Sequence, residues 1–156
     1  MSEEIENKYN ELRKKFKLPE FKEIDFEFEI SDLEETNFIL RAVIGRIAER
    51  LDFYSTLIEE ILQPDTSNLY AMHETRHFDD DEKKQMYELY IKLMNFNRRS
   101  IEASLERNER AEAEFITNLH NEWKILKQEL LRLVKKMRNS WKTGEADIKD
   151  DLGYLG

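Results

Sequence analysis

Hydrophobic residues recur at helical spacing along most of the chain. The first such set stands four, three and four positions apart and comprises Ile5, Tyr9, Leu12 and Phe16. Because an α-helix has about 3.6 residues per turn, this spacing places all four side chains on one face. Pro19 disfavours a helical conformation at the residue before it. The pattern therefore predicts a short amphipathic helix from about residue 3 to residue 17.

An acidic segment with a different periodicity follows this helix. Its apolar side chains occupy every second position and alternate with carboxylates: Ile24, Phe26, Phe28 and Ile30. Such alternation is typical of a strand, but no second segment of the chain offers a strand to pair with it. We therefore expect residues 18–31 to form an extended acidic strap whose aromatic side lies in a groove between helices. Edge pairing with the strap of a second copy is the alternative.

A long helix is expected after the strap. Ser31 and Glu34 have the spacing of a capping box, in which two side chains satisfy the first free amides of a helix. Apolar residues then follow at helical spacing as far as Pro64: Leu33, Leu40, Ile44, Ile47, Leu51, Tyr54, Ile58 and Ile61. The pattern predicts about 31 helical residues, or roughly 46 Å of helix. Gly45 lies inside it and predicts a close approach of a neighbouring helix.

Residues 63–78 have the composition of a connection. Residues 64–67 read Pro-Asp-Thr-Ser, which favours a turn with a possible helix cap. A short helix is expected from about Asn68 to His77. The segment therefore predicts a connecting loop that contains one short helix.

A second long helix is expected to begin at Asp79 and Glu82, which again have capping-box spacing. Between residues 65 and 143 there is neither Gly nor Pro, so one helix of over 60 residues, about 90 Å long, is a possible outcome. The charged residues 106–110 interrupt the apolar pattern, and we therefore expect a tight turn near Asn108. The buried face before this turn is predicted to contain one row with Met86, Tyr90 and Leu93 and a neighbouring row with Tyr87, Ile91, Met94, Ile101 and Leu105.

The third long helix has apolar positions at the same spacing: Ile116, Leu119, Trp123, Leu126, Leu130, Leu133, Met137 and Trp141. Gly144 is expected to end it. Three helices of similar length favour an all-α, coiled-coil-like, antiparallel three-helix bundle. Only 4 Gly and 2 Pro among 156 residues also exclude the turn-rich β folds. We expect one domain at residues 1–144 and a flexible acidic tail at residues 145–156.

Composition and charge narrow the possible partners. The longest stretch without a charged residue has eight residues, far short of the roughly 20 of a membrane span. The chain has no Cys, which suits a reducing cytoplasm. Its net charge is −9, yet residues 124–142 contain seven bases and a single acid. The basic face of the third helix contains Lys124, Lys127, Lys135, Arg138 and Lys142. We therefore consider an RNA- or ribosome-associated factor as one alternative; neutralisation by the acidic strap is the other interpretation.

One motif has a catalytic interpretation. Residues 73–77 read His-Glu-Thr-Arg-His and fit H-E-x-x-H, which resembles the zinc-binding helix of zincin metalloproteases. The resemblance implies that His73 and His77 share a zinc ion and that Glu74 acts as base for the bound water. The candidate third ligands are Glu102, Glu106 and His120.

The sequence also departs from the zincin pattern. Arg76 would place a cation beside the metal, and three aspartates at residues 79–81 end the short helix directly after the motif. A small zinc-dependent hydrolase is therefore an alternative, and the other interpretation is that both histidines are polar positions on a connecting helix.

The remaining residues offer no catalytic constellation. We interpret the chain as a non-catalytic helical bundle that acts by protein–protein interaction, as an adaptor or complex subunit, or by self-association. No cofactor is expected under this interpretation. The candidate docking residues are Trp141, Leu152, Tyr154 and Leu155.

Three short runs and one tryptophan, spread over the chain, carry a further resemblance. They are Leu18-Pro19-Glu20-Phe21, Ile61-Leu62-Gln63-Pro64-Asp65-Thr66, Glu114-Phe115-Ile116 and Trp123. Together they resemble a set of uncharacterised helical proteins encoded by archaeal genomes. The resemblance implies a cytoplasmic archaeal protein and assigns no activity, ligand or functional residue.

Overall fold

The computed structural model describes residues 2–142 and 152–153. Within these residues every regular element is helical, so the predicted all-α class is confirmed. None of the described helices is long and apolar enough to cross a membrane. The elements in chain order are α1 (Ser2–Lys15), α2 (Phe21–Phe28), a 3₁₀ turn (Ile30–Asp32), α3 (Ile39–Leu62), α4 (Leu69–Thr75), α5 (Asp80–Glu106) and α6 (Glu109–Asn139).

The chain divides into two compact units. Unit 1 comprises Met1–Phe53 and Met94–Lys124, and unit 2 comprises Tyr54–Leu93 and Ile125–Gly156. Each of the three long helices therefore contributes residues to both units. Each unit has its own buried apolar side chains, such as Ile24 in unit 1 and Ile58 in unit 2.

Helix α1 confirms the predicted amphipathic helix and belongs to unit 1. Ile5 and Tyr9 on its apolar face are fully buried. The Tyr9 hydroxyl donates a hydrogen bond of 2.7 Å to the carbonyl oxygen of Pro19, which holds the connection to α2 against α1. Burial raises the pKa of Tyr9 far above its ordinary value. Tyr9 therefore stabilises the fold in two ways: its ring is buried in the core and its hydroxyl is hydrogen-bonded.

The predicted extended strap at residues 18–31 is wrong, because most of it is helix α2. Phe21, Ile24 and Phe28 are buried, and their spacing of three and four places them on one helical face. Phe26 points away and is 79% exposed. The alternation of apolar residues in the sequence thus arose from one exposed phenylalanine within a helical pattern.

The end of α2 is fixed by backbone geometry and by an arginine. Glu29 adopts a left-handed conformation with φ of 54°, which is typical of a residue that ends a helix. Arg46 Nη1 donates hydrogen bonds to the carbonyl oxygens of Phe28 and Glu29, at 3.0 and 2.6 Å. Arg46 Nη2 also lies 3.0 Å from Asp32 Oδ1. These contacts satisfy carbonyl groups that the helix leaves without an internal donor.

Helix α3 begins seven residues later than a cap at Ser31 predicts. The Ser31 amide donates to Asp25 Oδ1 at 2.7 Å, so the serine closes the turn after α2 and caps no long helix. The apolar positions expected inside α3 are otherwise buried, as at Ile47 and Ile58, except that Tyr54 is half-buried. Gly45 does not mark a close helix contact: it is exposed, and a Cβ built on it would meet no atom within 4 Å.

Local capping chemistry places the starts of α4 and α5 where the sequence predicts them. The Asn68 side chain accepts a hydrogen bond of 3.3 Å from the Ala71 amide at the start of α4. Asp79 and Glu82 form a reciprocal capping box, with amide-to-carboxylate distances of 3.1 and 2.8 Å. The short connecting helix and the second capping box are therefore confirmed.

The predicted turn near Asn108 is also confirmed. Arg107 has φ of 51°, and Asn108 Oδ1 accepts hydrogen bonds from the amides of Arg110 and Ala111, at 2.8 and 3.4 Å. The asparagine thus ends one helix and caps the next. Helix α6 ends at Asn139, before the predicted end at Gly144, which lies outside the described residues.

Only one of the two apolar rows predicted for α5 is buried. The observed buried row follows helical spacing and comprises Met86, Leu89, Leu93, Phe96 and Ala103. Tyr90 is half-buried beside it. The other row is largely exposed and comprises Tyr87, Ile91, Ile101 and Leu105, with Met94 half-buried. The two rows lie about 150° apart around the helix, so the surface that covers one leaves the other in solvent.

Candidate functional site

The histidine motif lies where α4 meets the following turn in unit 2. His73 and Glu74 are on α4, and His77 follows its last turn. His73 is 5% exposed and Glu74 is 9% exposed. Burial of two polar side chains on a helix of seven residues requires partners, because an unsatisfied buried polar group costs about 1–3 kcal/mol.

Both ring nitrogens of His73 are engaged. Nε2 lies 2.6 Å from the carbonyl oxygen of Ser140 and therefore donates to it. Nδ1 lies 3.3 Å from Arg76 Nη2 and accepts from the guanidinium. These partners assign the ring proton to Nε2. The hydrogen bond to Ser140 joins α4 to the backbone that follows α6.

Trp141 completes this cluster. Its indole ring stacks on the His73 ring at 4.1 Å between centroids and an angle of 28°. Indole Nε1 donates to Glu74 Oε2 at 3.0 Å. Trp141 is still 49% exposed, so one part of its surface closes the motif and the rest faces solvent.

His77 follows α4 and is held by the backbone of that helix. Its Nδ1 donates to the His73 carbonyl oxygen at 2.9 Å, and the two imidazole rings lie 4.8 Å apart at a tilt of 47°. Zinc coordination by His73 requires a free nitrogen lone pair, yet its Nδ1 lone pair faces the Arg76 guanidinium. In the structure these nitrogens are thus engaged by Ser140, Arg76 and the α4 backbone, and the motif connects parts of unit 2.

The candidate third zinc ligands, Glu102, Glu106 and His120, belong to unit 1, whereas His73 and His77 belong to unit 2. His120 Nε2 lies 3.1 Å from Glu23 Oε2. Glu102 and Glu106 line a cavity of about 160 Å³ next to Arg99. In the part of the chain that the structure describes, no three His, Asp or Glu side chains are grouped so that they could hold a metal ion.

The basic face of α6 is exposed along its length. It contains Lys124, Lys127, Lys135, Arg138 and Lys142, all of them exposed. Lys124 belongs to unit 1 and the other four bases belong to unit 2. Within the described residues, Lys135, Arg138 and Lys142 form no ion pair. The single acid of residues 124–142, Glu129, is paired with Lys92 at 3.6 Å.

Two exposed aliphatic residues on this face escaped the sequence analysis. Leu131 is 50% exposed and Val134 is also exposed, and both lie on the side of α6 that carries the bases of unit 2. Each directly follows a buried leucine, Leu130 or Leu133. A residue one position after a buried residue points about 100° away from it around the helix. This spacing could have identified Leu131 and Val134 as exposed from the sequence.

The remaining docking candidates lie in the C-terminal segment. Leu152 is exposed and is helical together with Gly153. Tyr154 and Leu155 lie outside the described residues, as does most of the predicted tail at 145–156. No family model, curated protein or solved structure matches this chain.

Proposed function

We propose that the protein is a non-catalytic helical bundle that acts by protein–protein interaction, as an adaptor or complex subunit. The observation that carries the proposal is the exposed side of α6 in unit 2. There, three apolar side chains, Leu131, Val134 and Trp141, lie among basic side chains. We call this surface, with Lys127, Lys135, Arg138 and Lys142, the α6 face.

The composition of the α6 face indicates the chemistry of its partner. Protein interfaces combine an apolar centre with a polar rim, and tryptophan and arginine are enriched at positions that contribute most to binding. The basic rim selects a partner segment rich in Asp and Glu. An acidic amphipathic helix that presents two or three aliphatic residues fits both features.

The hydrogen-bonding cluster supports this role for Trp141. Stacking on His73 and donation to Glu74 fix the indole, so binding costs little side-chain entropy there. The same contacts engage the residues that a zinc hydrolase would use. These contacts favour an interaction surface over a zinc hydrolase.

Nucleic acid is the competing partner for the α6 face. The basic side chains suit phosphates, as the sequence analysis noted. One face of the Trp141 ring is covered by His73, and Leu131 and Val134 offer no ring on which a base could stack, which favours a protein partner.

The proposal includes the finer architecture expected from the sequence. We propose that α3, α5 and α6 lie antiparallel to one another as a three-helix bundle, and that the protein acts in the cytoplasm. The similar lengths of these helices and the short turn at Asn108 support the first point.

A charge substitution on the α6 face tests the proposed function. Leu131→Glu places a carboxylate in the apolar centre, and Ile125→Glu is its matched control. Ile125 is equally exposed on the same helix, about 120° away from Leu131. We expect wild-type protein and I125E to retain the same partner proteins in quantitative affinity capture from source cells, and L131E to lose them.

Two further measurements complete the test. Sedimentation velocity shows whether the partner is a second copy, in which case L131E alone shifts the chain to monomer. Filter binding to single- and double-stranded RNA at low salt tests the competing partner. Equal capture by L131E and I125E overturns the proposal. RNA affinity that survives L131E and falls in K135Q/R138Q would also overturn it, in favour of nucleic acid.

A further inference from the structure

A basic concavity lies in unit 1 at the C-terminal end of α1. It has a volume of about 770 Å³ and is lined by the end of α1, the connection to α2 and one face of α6. Four of its lining residues are cationic: Arg13, Lys14, Lys15 and Lys17. Such a concentration of positive charge is notable in a chain whose net charge is −9.

The wall of this concavity is held in place by hydrogen bonds to its backbone. Tyr9 donates to the Pro19 carbonyl oxygen, and Arg13 Nε donates to that of Leu18 at 3.3 Å. From the opposite side, the Thr117 hydroxyl donates to the carbonyl oxygen of Lys17. Three side chains thus fix three consecutive residues of the connection, and a ligand would meet a surface that is already formed.

Little negative charge faces these bases. Glu23 is the one carboxylate among the residues that line the concavity, and it lies 3.1 Å from His120 Nε2. Arg13 also approaches Glu20, at 3.8 Å near the surface. Among the described residues, Lys14, Lys15 and Lys17 form no ion pair.

The end of α1 explains part of this charge, because lysines favour the last turn of a helix. Lys17 lies beyond that turn, and the connection directs it to the same concavity. Asn10 and Asn121 add amide groups to the lining. The site therefore presents several separate cationic and neutral hydrogen-bond donors within one concave surface.

We infer that this concavity binds a chain of phosphate groups, either inorganic polyphosphate or the phosphates of a nucleotide. An ammonium group is a compact charge that pairs with phosphate oxygens, and three lysines at separate positions match several linked phosphates better than one. Phe16 is half-buried in the lining with Lys15 Nζ 5.6 Å from its ring centroid, so a nucleotide base would stack on the ring beside this ammonium group. This site is separate from the α6 face and does not depend on the proposed function.

Isothermal titration calorimetry with inorganic tripolyphosphate and with ATP tests the inference, without divalent cations and at an ionic strength of about 50 mM. We expect a Kd of about 100 µM or below for tripolyphosphate, and at least about tenfold weaker binding of inorganic monophosphate. Lys14→Gln with Lys17→Gln should weaken tripolyphosphate binding at least about tenfold.

The matched control removes two lysines from the α6 face, with Lys135→Gln and Lys142→Gln. It changes the net charge equally and should leave the affinity within about twofold. All four lysines are exposed, so far-UV circular dichroism should confirm that both double variants fold.

The two phosphate sources give different results. Equal affinity for tripolyphosphate and ATP supports an inorganic chain. Tighter binding of ATP that disappears in Phe16→Ala supports a nucleotide. A Kd above about 1 mM for both compounds, or equal weakening in the two double variants, overturns the inference.

Discussion

Substitution of Trp141 by phenylalanine tests whether the histidine motif is structural. The change keeps an aromatic ring against His73 and removes the indole N–H that donates to Glu74 Oε2 at 3.0 Å. Glu74 is 9% exposed and keeps its place on α4, so one of its carboxylate oxygens loses a donor. The variant therefore isolates a single hydrogen bond.

The expected cost follows from the burial of the two partners. A hydrogen bond to a charged group contributes about 1.5–3 kcal/mol when both partners are buried. Trp141 is 49% exposed, so water can replace part of the interaction. We expect W141F to lower the free energy of unfolding by about 1–2 kcal/mol, or Tm by roughly 2–8 °C in a chain of this size.

Urea unfolding followed by circular dichroism at 222 nm measures this cost without relying on tryptophan fluorescence. Glu74→Gln is the control: its amide oxygen can still accept from the indole, so the variant loses the charge but keeps the hydrogen bond and should cost less than W141F. Trp141→Ala also loses the stack on His73 and should cost about 1 kcal/mol more than W141F. A W141F cost below about 0.3 kcal/mol would refute the assignment of this hydrogen bond to stability.

The same reasoning predicts the response to zinc. A ligand that binds only the folded state raises the free energy of unfolding, and with it Tm, with the logarithm of its concentration relative to its Kd. Because the Nδ1 lone pair of His73 faces Arg76, we expect equal Tm values in zinc and in a chelator. A zinc-dependent rise that disappears in His77→Ala would show that the motif binds the metal after all.

Three further predictions concern other parts of the fold. Gly45→Ala should raise the free energy of unfolding by about 0.5–1 kcal/mol in urea titrations, because alanine has the higher helix propensity and its Cβ meets no atom within 4 Å. A loss of stability would instead indicate a close neighbour at this position. Phe28→Ala should lower the free energy of unfolding by about 3–5 kcal/mol and Phe26→Ser by less than about 0.5 kcal/mol, since Phe28 is buried and Phe26 is exposed. Similar losses for the two variants would contradict helix α2 and favour the extended strap. Burial raises the pKa of Glu112 above its ordinary 4.5, and Arg41 partly opposes this shift. The ionised carboxyl is therefore less favourable in the folded state than in the unfolded state. The contribution of Glu112 to the free energy of unfolding is greatest below pH 4.5 and declines as pH rises through the folded pKa. The unfolding free energy of wild type minus that of Glu112→Gln should therefore fall between pH 4 and pH 7, and a constant difference in urea titrations would count against the shift.

The sequence identified those features that depend on neighbouring residues alone. Asp79 and Glu82 contain the whole capping box in four positions, and Asn108 carries the side chain that caps α6. The turn at Asn108 could be predicted without Gly or Pro because an asparagine oxygen can accept from amides two and three positions ahead. Such contacts form between groups that are already close along the chain.

Periodicity proved less reliable where two patterns share the same residues. Residues 24–30 alternate with a period of two, while Phe21, Ile24 and Phe28 satisfy a helical period. The buried side of α2 packs in unit 1, where the rings of Phe28 and Trp123 lie 5.0 Å apart. Burial of these three side chains, together with the hydrogen bonds from Arg46, favours the helix over an unpaired strand.

The candidate functional residues likewise divide into those fixed by local sequence and those fixed by tertiary contacts. The sequence alone determined that the chain is helical, where its long helices turn and which side of α6 is basic, because spacing and capping fix these properties locally. Tertiary structure decided what His73 and Glu74 do, since their partners Ser140 and Trp141 are 67 residues away. It also decided that Leu131 lies in solvent and that Lys17 joins the basic concavity. These outcomes depend on which surface covers a side chain, a property that spacing along one chain does not contain.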